Sequence, residues 1–413
     1  MNPSLLEAQA RKHVGERSFH YAAGGAGERS TMEANWLAFR QWKIIPRMLR
    51  PVSVRDLSTT LFGQRVPSPI LIAPIGVQAI FHSDAESGVA SVAEELGLPF
   101  MLSTASSTSI EDVAVANGAT PTYPPGTDPS AVPSSSTATP DHVRNVLPNR
   151  IKQPMGTTSQ GGGIRYFQLY WPQDPALTQS ILNRAKSNGY SVLVVTLDTW
   201  TLGYRPADLD NAYVPFVRGQ GCEIGFSDPV FRPTPENSLL MASQSWIATA
   251  FSGQAHTWAD LRGLREMWGN APMVLKGIQS VDDAELAVEY GMDGIIVSNH
   301  GGRQVDGCVG SLEVLPEIVE AVGEKVTVLF DSGVRTGVDV LKALCLGARG
   351  VCVGRPWVYG MCVAGRAGVR EVLRGLLCDL DQSMGLAGIG DVGGCGRGVL
   401  RRCRYPGDRI ANL

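Results

Sequence analysis

A histidine and an arginine stand three positions apart in Ser298-Asn299-His300-Gly301-Gly302-Arg303-Gln304. Histidine can take a proton near neutral pH, and arginine can clamp a carboxylate through two parallel hydrogen bonds. The preceding run, Gly294-Ile295-Ile296-Val297, is short, apolar and β-branched, which predicts a buried strand. The two glycines free the backbone at the strand's end. An isolated stretch of this kind is more often a glycine-rich turn with solvated polar residues. The deciding question is how many other apolar runs end in the same way.

Eight runs do. They begin at Ile70, Phe100, Tyr166, Val192, Met273, Gly294, Val326 and Gly350, and they alternate with amphipathic segments. The spacing predicts helices over 84–96, 109–117, 175–187, 258–268, 281–290, 311–322, 338–346 and 365–380. Alternating strand and helix implies parallel pairing. Eight such units close naturally into an α/β (β/α)8 TIM barrel, whose site lies at the C-terminal ends of the strands. A doubly wound sheet is the competing fold, but no strand leads into a G-x-G-x-x-G turn.

The strand ends then form one group. They supply Ala73-Pro74-Ile75-Gly76, Ser103, Gln168 and Tyr170, Thr196 and Asp198 with Arg205 beyond, Lys276, Ser298 with His300 and Arg303, Asp331-Ser332-Gly333 with Arg335, and Gly354-Arg355. Asp198 can orient His300 as a base by holding its second nitrogen. Arg205 and Arg303 can hold an anion, and Tyr21 and Tyr170 can hydrogen-bond a hydroxyl or carbonyl. Lys276 is either a Schiff-base lysine or a fixed cation over a developing anion. Ser332-Gly333 and Gly354-Arg355, with Arg335, suit a phosphate, which barrel enzymes often bind after strands seven and eight. Together these point to proton abstraction from a small carboxylate carrying a hydroxyl. An electron acceptor with a phosphate tail completes the reaction, and FMN fits because no adenine-binding motif is present.

Around this core, residues 1–66 read as a mostly helical lead-in, with Ser4 as a cap for the first helix. Residues 67–384 make the barrel and 385–413 an irregular Gly- and Arg-rich tail. Two segments break the rhythm. Residues 120–163 are rich in Pro, Ser, Thr and Gly and are expected to be disordered. Residues 206–256, after strand four, are too long for a plain connection and read as a lid.

The bulk numbers exclude several classes. A net charge of −3 over 413 residues argues against nucleic acid as the main partner. The eight cysteines form no C-x-x-C pair, so neither a zinc site nor a disulfide framework is expected, which suits a reducing compartment. No apolar run of about 18 residues occurs, so no membrane span is expected. The N-terminus has no signal-peptide pattern. A cytoplasmic location follows, with Ala411-Asn412-Leu413 a weak peroxisomal alternative.

At this level of detail the chain resembles the FMN-dependent α-hydroxy acid oxidases and dehydrogenases. The resemblance rests on Ser298–Gln304, Ile72-Ala73-Pro74, Phe167–Tyr170, Thr196–Thr199, Leu275-Lys276-Gly277, Phe330–Arg335 and Val353–Pro356, in that family's arrangement from Phe19 to Met384 apart from 120–163. Asp198–Pro206 and Leu102–Ser106 look most like the lactate 2-monooxygenase branch. The resemblance implies that His300 is the base, paired with Asp198, and that Arg205 and Arg303 bind the substrate carboxylate. It puts Tyr21 and Tyr170 on the substrate and Lys276 beside the reduced flavin. Ser103, Gln168, Thr196, Ser298 and the backbone of Ile75–Val77 would hold the flavin ring. Asp331, Ser332, Gly333, Arg335, Gly354 and Arg355 would hold the ribityl-phosphate tail. The substrate class is a small, lactate-like 2-hydroxy acid with O2 as co-substrate, and a homo-oligomer, a tetramer, is expected. Many family oxidases carry Ala where this chain has Gly76, and plant-type glycolate oxidases carry Trp where it has Ala105. The monooxygenase likeness implies oxidative decarboxylation to a shorter acid, CO2 and water; an oxidase that releases keto acid and hydrogen peroxide, a Schiff-base aldolase and a non-catalytic flavin-binding homologue are the alternatives.

Overall fold

The computed structural model describes residues 2–123, 161–231, 233 and 238–403. Eight short strands follow one another round a closed, all-parallel barrel: β1 (Ile70–Ile72), β2 (Phe100–Ser103), β3 (Arg165–Leu169), β4 (Val192–Thr196), β5 (Met273–Ile278), β6 (Gly294–Val297), β7 (Thr327–Phe330) and β8 (Gly350–Val353). β8 pairs with β1 to close the ring. The strands are buried on both faces, which is why they read as continuous apolar runs. One face of each packs against outer helices. The other fills the barrel, from Leu71 of β1 round to Cys352 of β8, with Leu61 and Phe62 of the hairpin at 59–66 packed against this inner core.

The helices are α1 (Ala85–Leu96), α2 (Ile110–Ala116), α3 (Pro175–Ser187), α4 (Leu261–Trp268), α5 (Val281–Glu289), α6 (Ser311–Val322), α7 (Gly337–Cys345) and α8 (Arg355–Ala387). Local chemistry starts several of them: Ser109 caps α2, Asp174 precedes Pro175 in α3, and Thr336 and Asp339 form a capping box at α7. Helix α8 differs from expectation. It starts at Arg355, directly after β8, and kinks at Ala364–Gly365 before continuing to Ala387.

The ends of the chain are more ordered than their composition implies. The first helix, Pro3–His13, is capped by Asn2, not Ser4, because the Asn2 side chain accepts from the Ser4 and Leu5 amides. The helices Glu16–Ala23 and Ser30–Gln41 follow, then a strand, Trp42–Ile44. That strand pairs antiparallel with Leu400–Arg402, so the tail to Cys403 is built into the fold and is not the irregular appendage expected. Residues 404–413, including the weak targeting tripeptide, lie outside the described residues, as do 124–160. The described ends of the 120–163 segment are held in place: the Thr122 amide donates to Asn188 Oδ1 (2.8 Å) and the Gly163 amide to the Asn117 carbonyl (2.8 Å).

Candidate active site

His300 owes its position to an unusual turn. His300, Gly301 and Gly302 are all left-handed, with φ of +57°, +66° and +73°. A Cβ on Gly302 would lie 2.6 Å from Met32 Cγ, so only glycine lets the turn meet the lead-in. Two buried partners hold the turn. Ser332 Oγ accepts from the Asn299 and Gly301 amides at 3.3 and 3.0 Å. Asn299 exchanges paired amide hydrogen bonds of 2.9 and 2.8 Å with Asn35 of the helix Ser30–Gln41.

The turn brings His300 Nδ1 to 2.7 Å from Asp198 Oδ1. Thr199 Oγ1 lies 2.8 Å from the same oxygen and 2.9 Å from the ring nitrogen. Burial, and the Lys276 charge, lower the His300 pKa against the opposing pull of Asp198. The imidazole is therefore neutral at pH 7. With Nδ1–H donated to a carboxylate, Nε2 is the free acceptor, the form a general base needs. Burial works to raise the Asp198 pKa, but the Lys276 charge and the hydrogen bonds from His300 and Thr199 outweigh it and hold the carboxyl below the usual range.

Behind His300 runs a buried polar ladder on the strand ends. Register sets Ser103 beside Gln168 and Thr196 beside Lys276. Ser103 Oγ donates to Gln168 Oε1 (2.9 Å), Gln168 Nε2 to Thr196 Oγ1 (2.9 Å), and Lys276 Nζ to Ser298 Oγ (3.0 Å). Lys276 is 4% exposed and sits 3.6 Å from Asp198 Oδ2 and 3.7 Å from Asp331 Oδ2. Burial lowers its pKa, but the two carboxylates overcome that and raise it above the ordinary lysine range. A Schiff-base lysine must be neutral to attack a carbonyl, so this environment disfavours the aldolase alternative and suits a fixed cation.

In front lies a cavity of about 1040 Å³, counting its open mouth. His300, Lys276, Arg205, Arg303, Tyr21 and Tyr170 line it, so residues from four strand ends and the lead-in converge. Asp198, Ser103, Gln168, Thr196 and Ser298 stand behind that lining. Arg205 Nε donates to the Arg303 carbonyl (2.9 Å) and its Nη2 to Gln304 Oε1 (2.7 Å). Arg303 Nη1 donates to the Tyr21 and Gly24 carbonyls, and its guanidinium lies 5.0 Å from the Tyr21 ring. Burial, then the Arg303 charge, lower the Arg205 pKa to about 10. Two neighbouring cations of which one is so buried make a site for an anion. Burial raises the Tyr170 pKa, keeping its hydroxyl a donor.

The β7–β8 end carries the second cationic group. Asp331, Ser332, Gly333, Arg335, Gly354 and Arg355 all line the same cavity. The Arg335 amide donates to Asp339 Oδ2 (3.0 Å) and its Nη1 to the Val334 carbonyl (3.0 Å), and among the described residues its other guanidinium N–H groups meet no acceptor. Arg355 is tied to three carbonyls, Ala22, Gly24 and Gly301, at 2.9–3.0 Å. Burial is the main cause that lowers its pKa, to about 9, and the charges of Arg303 and Arg335 add to it. A pair of partly buried arginines that line the cavity, with no bonded carboxylate among the described residues, fits a phosphate. Next to β1, Ile75, Gly76 and Val77 form the facing wall, with Val77 left-handed (φ +56°) and its amide donating to the Ala105 carbonyl (2.8 Å). Buried Glu86 fixes this corner, accepting from the Gln78 amide (3.1 Å), the Ser107 amide (2.9 Å) and Thr108 Oγ1 (3.0 Å).

The described residues of the segment 206–256 cover one side. They contain helices Pro206–Asp210, Glu223–Phe226 and Leu239–Ala250, and they contribute Phe216 and Phe251 to the cavity wall. The cap is anchored, not loose. Trp246 is buried against Gly225, the Glu223 amide donates to the Ser106 carbonyl (3.1 Å), and the Gly253 amide to the Trp200 carbonyl (3.1 Å). Arg184 of α3 binds Glu111 with two bonds of 2.8–2.9 Å and Asp228 of the cap at 3.1 Å. Sequence reasoning missed Thr199, Gln304, Phe216 and Phe251. Thr199 and Gln304 stand inside quoted motifs, so adjacency was their signal. Phe216 and Phe251 had none.

Among the described residues no group of three or more His, Cys, Asp or Glu is placed to hold a metal ion, and no helix is long and apolar enough to cross a membrane. The model of the FMN-dependent dehydrogenase family matches residues 10–128 and 129–402, so the likeness starts before Phe19 and passes Met384. The chain is 50% identical over 414 aligned residues to the FMN-dependent alpha-hydroxy acid dehydrogenase qulF of Penicillium citrinum, covering 98% of this chain and 92% of that one. It is 35% identical to an L-lactate oxidase of Lysinibacillus sphaericus, covering 94% and 89%. A solved mandelate oxidase with (S)-4-hydroxymandelic acid superposes with a TM-score of 0.76 at 32% identity, covering 97% and 98%. The chain is thus a member of the FMN-dependent dehydrogenase family, an FMN-dependent α-hydroxy acid oxidoreductase on a (β/α)8 barrel.

Proposed function

We propose that the chain oxidises a small L-2-hydroxy acid of the lactate class to its 2-keto acid with oxygen as the final acceptor. We propose further that keto acid and hydrogen peroxide meet in the covered site and react to the shorter acid, CO2 and water. One observation carries the oxidation: neutral His300, backed by Asp198, opens on the same cavity as Arg205, Arg303 and buried Lys276. In this reading the two guanidinium groups hold the substrate carboxylate and Tyr170 donates to a substrate oxygen. His300 Nε2 takes the proton, and Asp198 stabilises the imidazolium that results. The polar ladder would hold the flavin ring, and Asp331, Arg335 and Arg355 with the neighbouring glycines would hold its phosphate tail. When bound, FMN supplies the two-electron acceptor and the route to oxygen. Lys276 keeps a fixed positive charge at the floor of the site.

The anchored cap supports retention of products. The competing outcome, release of keto acid and peroxide, is supported by the relative named L-lactate oxidase. The test is direct. Anaerobic addition of L-lactate or other small L-2-hydroxy acids to the flavin-loaded protein should bleach its visible absorbance. No bleaching with any of them refutes the oxidation. In air, CO2 in step with substrate consumed supports decarboxylation, and peroxide in step with substrate refutes that part alone.

A further inference from the structure

We infer that Thr199 is a positioning residue: its hydroxyl commits the Asp198 carboxylate to His300 and keeps it from turning to Lys276. This rests on the reading above, in which His300 is the base and Asp198 its orienter, and concerns what fixes that pair.

Asp198 lies between two groups that compete for it. His300 Nδ1 is 2.7 Å from Oδ1, and Lys276 Nζ is 3.6 Å from Oδ2. The lysine is charged and the resting imidazole is not, so Coulomb attraction alone favours Lys276. Its ammonium also donates to Ser298 Oγ (3.0 Å), which leaves donors for a nearby carboxylate. Yet Oδ2, the oxygen on that side, is buried and accepts no hydrogen bond among the described residues. Packing does not explain this. A Cβ on Gly277 would lie 2.9 Å from Asp198 Cβ, so the β5 backbone limits where the side chain can go. Rotation of the carboxylate about its last bond stays open, because that torsion has broad wells. Hydrogen bonds must set it.

Thr199 supplies the constraint. Its Oγ1 donates to Oδ1 (2.8 Å) and lies 2.9 Å from His300 Nδ1, so the three atoms close a triangle of nearly equal sides. The hydroxyl proton pins Oδ1, and the hydroxyl oxygen faces Nδ1–H as a second acceptor. Both contacts hold the edge of the imidazole against the carboxylate and leave Nε2 free. Thr199 is 2% exposed, and a β-branched side chain has few rotamers, so the hydroxyl is in place before substrate arrives.

The two halves of the side chain can be removed separately. Thr199→Val keeps the shape and loses the hydroxyl, whereas Thr199→Ser keeps the hydroxyl and loses the methyl. Anaerobic stopped-flow reduction of the holoprotein reads the effect, with the small L-2-hydroxy acid that reduces the unaltered protein fastest. A hydrogen bond to a charged group is worth roughly 10–100-fold, and Asp198 keeps its bond to His300, so Thr199→Val should slow reduction at saturating substrate by roughly 5–30-fold. The substrate concentration at half-saturation should change by less than about twofold, since Arg205 and Arg303 hold the substrate carboxylate. Thr199→Ser should stay within about threefold of the unaltered rate. Added to Asp198→Asn, Thr199→Val should cost less than about twofold more, because its effect passes through the charge it holds. The bound-flavin spectrum reports that each variant is folded. Thr199→Ser slower than Thr199→Val overturns the inference, since packing would then be the role of the side chain. So does a Thr199→Val rate within about threefold of the unaltered one, or a full further loss on top of Asp198→Asn. None of these touches the assignment of the base. An Asp198→Asn protein as fast as the unaltered one is the separate failure, and it removes that assignment and this inference together.

Discussion

Replacing Asp198 with asparagine removes one charge and leaves the shape of the side chain nearly intact. The carboxylate sits 2.7 Å from His300 Nδ1, on the side away from the free Nε2. As His300 takes a proton, Asp198 becomes the counter-charge of the imidazolium. Two unit charges 4 Å apart interact by about 4 kcal/mol at an effective dielectric constant of 20. The pair here is closer, but the imidazolium is only partly formed in the transition state, so about 3–4 kcal/mol is the reasonable loss, roughly 10²–10³ in rate. An asparagine can also present its NH2 to Nδ1 and select the wrong tautomer, which adds to the loss. The assay is anaerobic stopped-flow reduction of the bound flavin across pH. The rate should rise with pH as His300 loses its proton, then level off. Asp198 pulls the His300 pKa upward, so Asp198→Asn should move the acid limb to lower pH while lowering the plateau. A merely structural loss would weaken flavin binding and leave the limb in place. A plateau within threefold of the unaltered protein, or a limb moved to higher pH, would refute the assignment of Asp198 and His300 as base and orienter.

Three further outcomes are expected. A Cβ at Gly76 would lie 2.5 Å from the Ala105 carbonyl oxygen, so Gly76→Ala must shift the β1 and β2 ends, and it should change the ratio of peroxide to decarboxylated acid; an unchanged ratio removes Gly76 from the control of oxygen chemistry. Arg335→Met should raise the Kd for FMN by roughly 10–100-fold, since a hydrogen bond to a charged group is worth about 1.5–3 kcal/mol, and fluorescence titration of the apoprotein checks it. Burial and neighbouring Asp112 raise Glu223, in the cap, from 4.5 to about 7. A raised carboxyl costs stability progressively as pH climbs from 4.5 to 7 and no further above that. Glu223→Gln should thus raise Tm at pH 8 by roughly 2–6 °C and leave it unchanged at pH 4, by thermal scans of the holoprotein.

The barrel is legible in the sequence because each strand is buried on both faces and so appears as an unbroken apolar run. Its site is legible because each run ends in residues that a purely structural turn would not require. The physics that fails to show is long-range. Leu400–Arg402 joins the fold through backbone bonds to Trp42–Ile44, and backbone bonds leave no mark on a Gly- and Arg-rich composition. Asn2 displaces Ser4 as the cap because a Pro at position 3 suits the first helical turn. Phe216 and Phe251 face the cavity only because the cap folds back on the β2 end, which no local pattern announces. Arg355 is expected to grip a phosphate, yet the structure also spends it on the carbonyls of Ala22, Gly24 and Gly301, a bracing role that its place beside a glycine does not suggest.

That bracing, with the Asn35–Asn299 amide pair, has a consequence for how the molecule is made. The partners are 264 and 333 positions apart in the chain. A ribosome adding about 5–20 residues per second needs roughly 15–65 s to deliver the second partner after the first. During that interval Phe19 and Phe39 of the lead-in lack the Tyr359 and Phe330 rings that they pack against in the finished fold. The lead-in is therefore made well before its partners and settles only once they have been delivered. Arg303, which donates to the carbonyls of Tyr21 and Gly24, takes its final orientation only once the lead-in has docked on the β6 end.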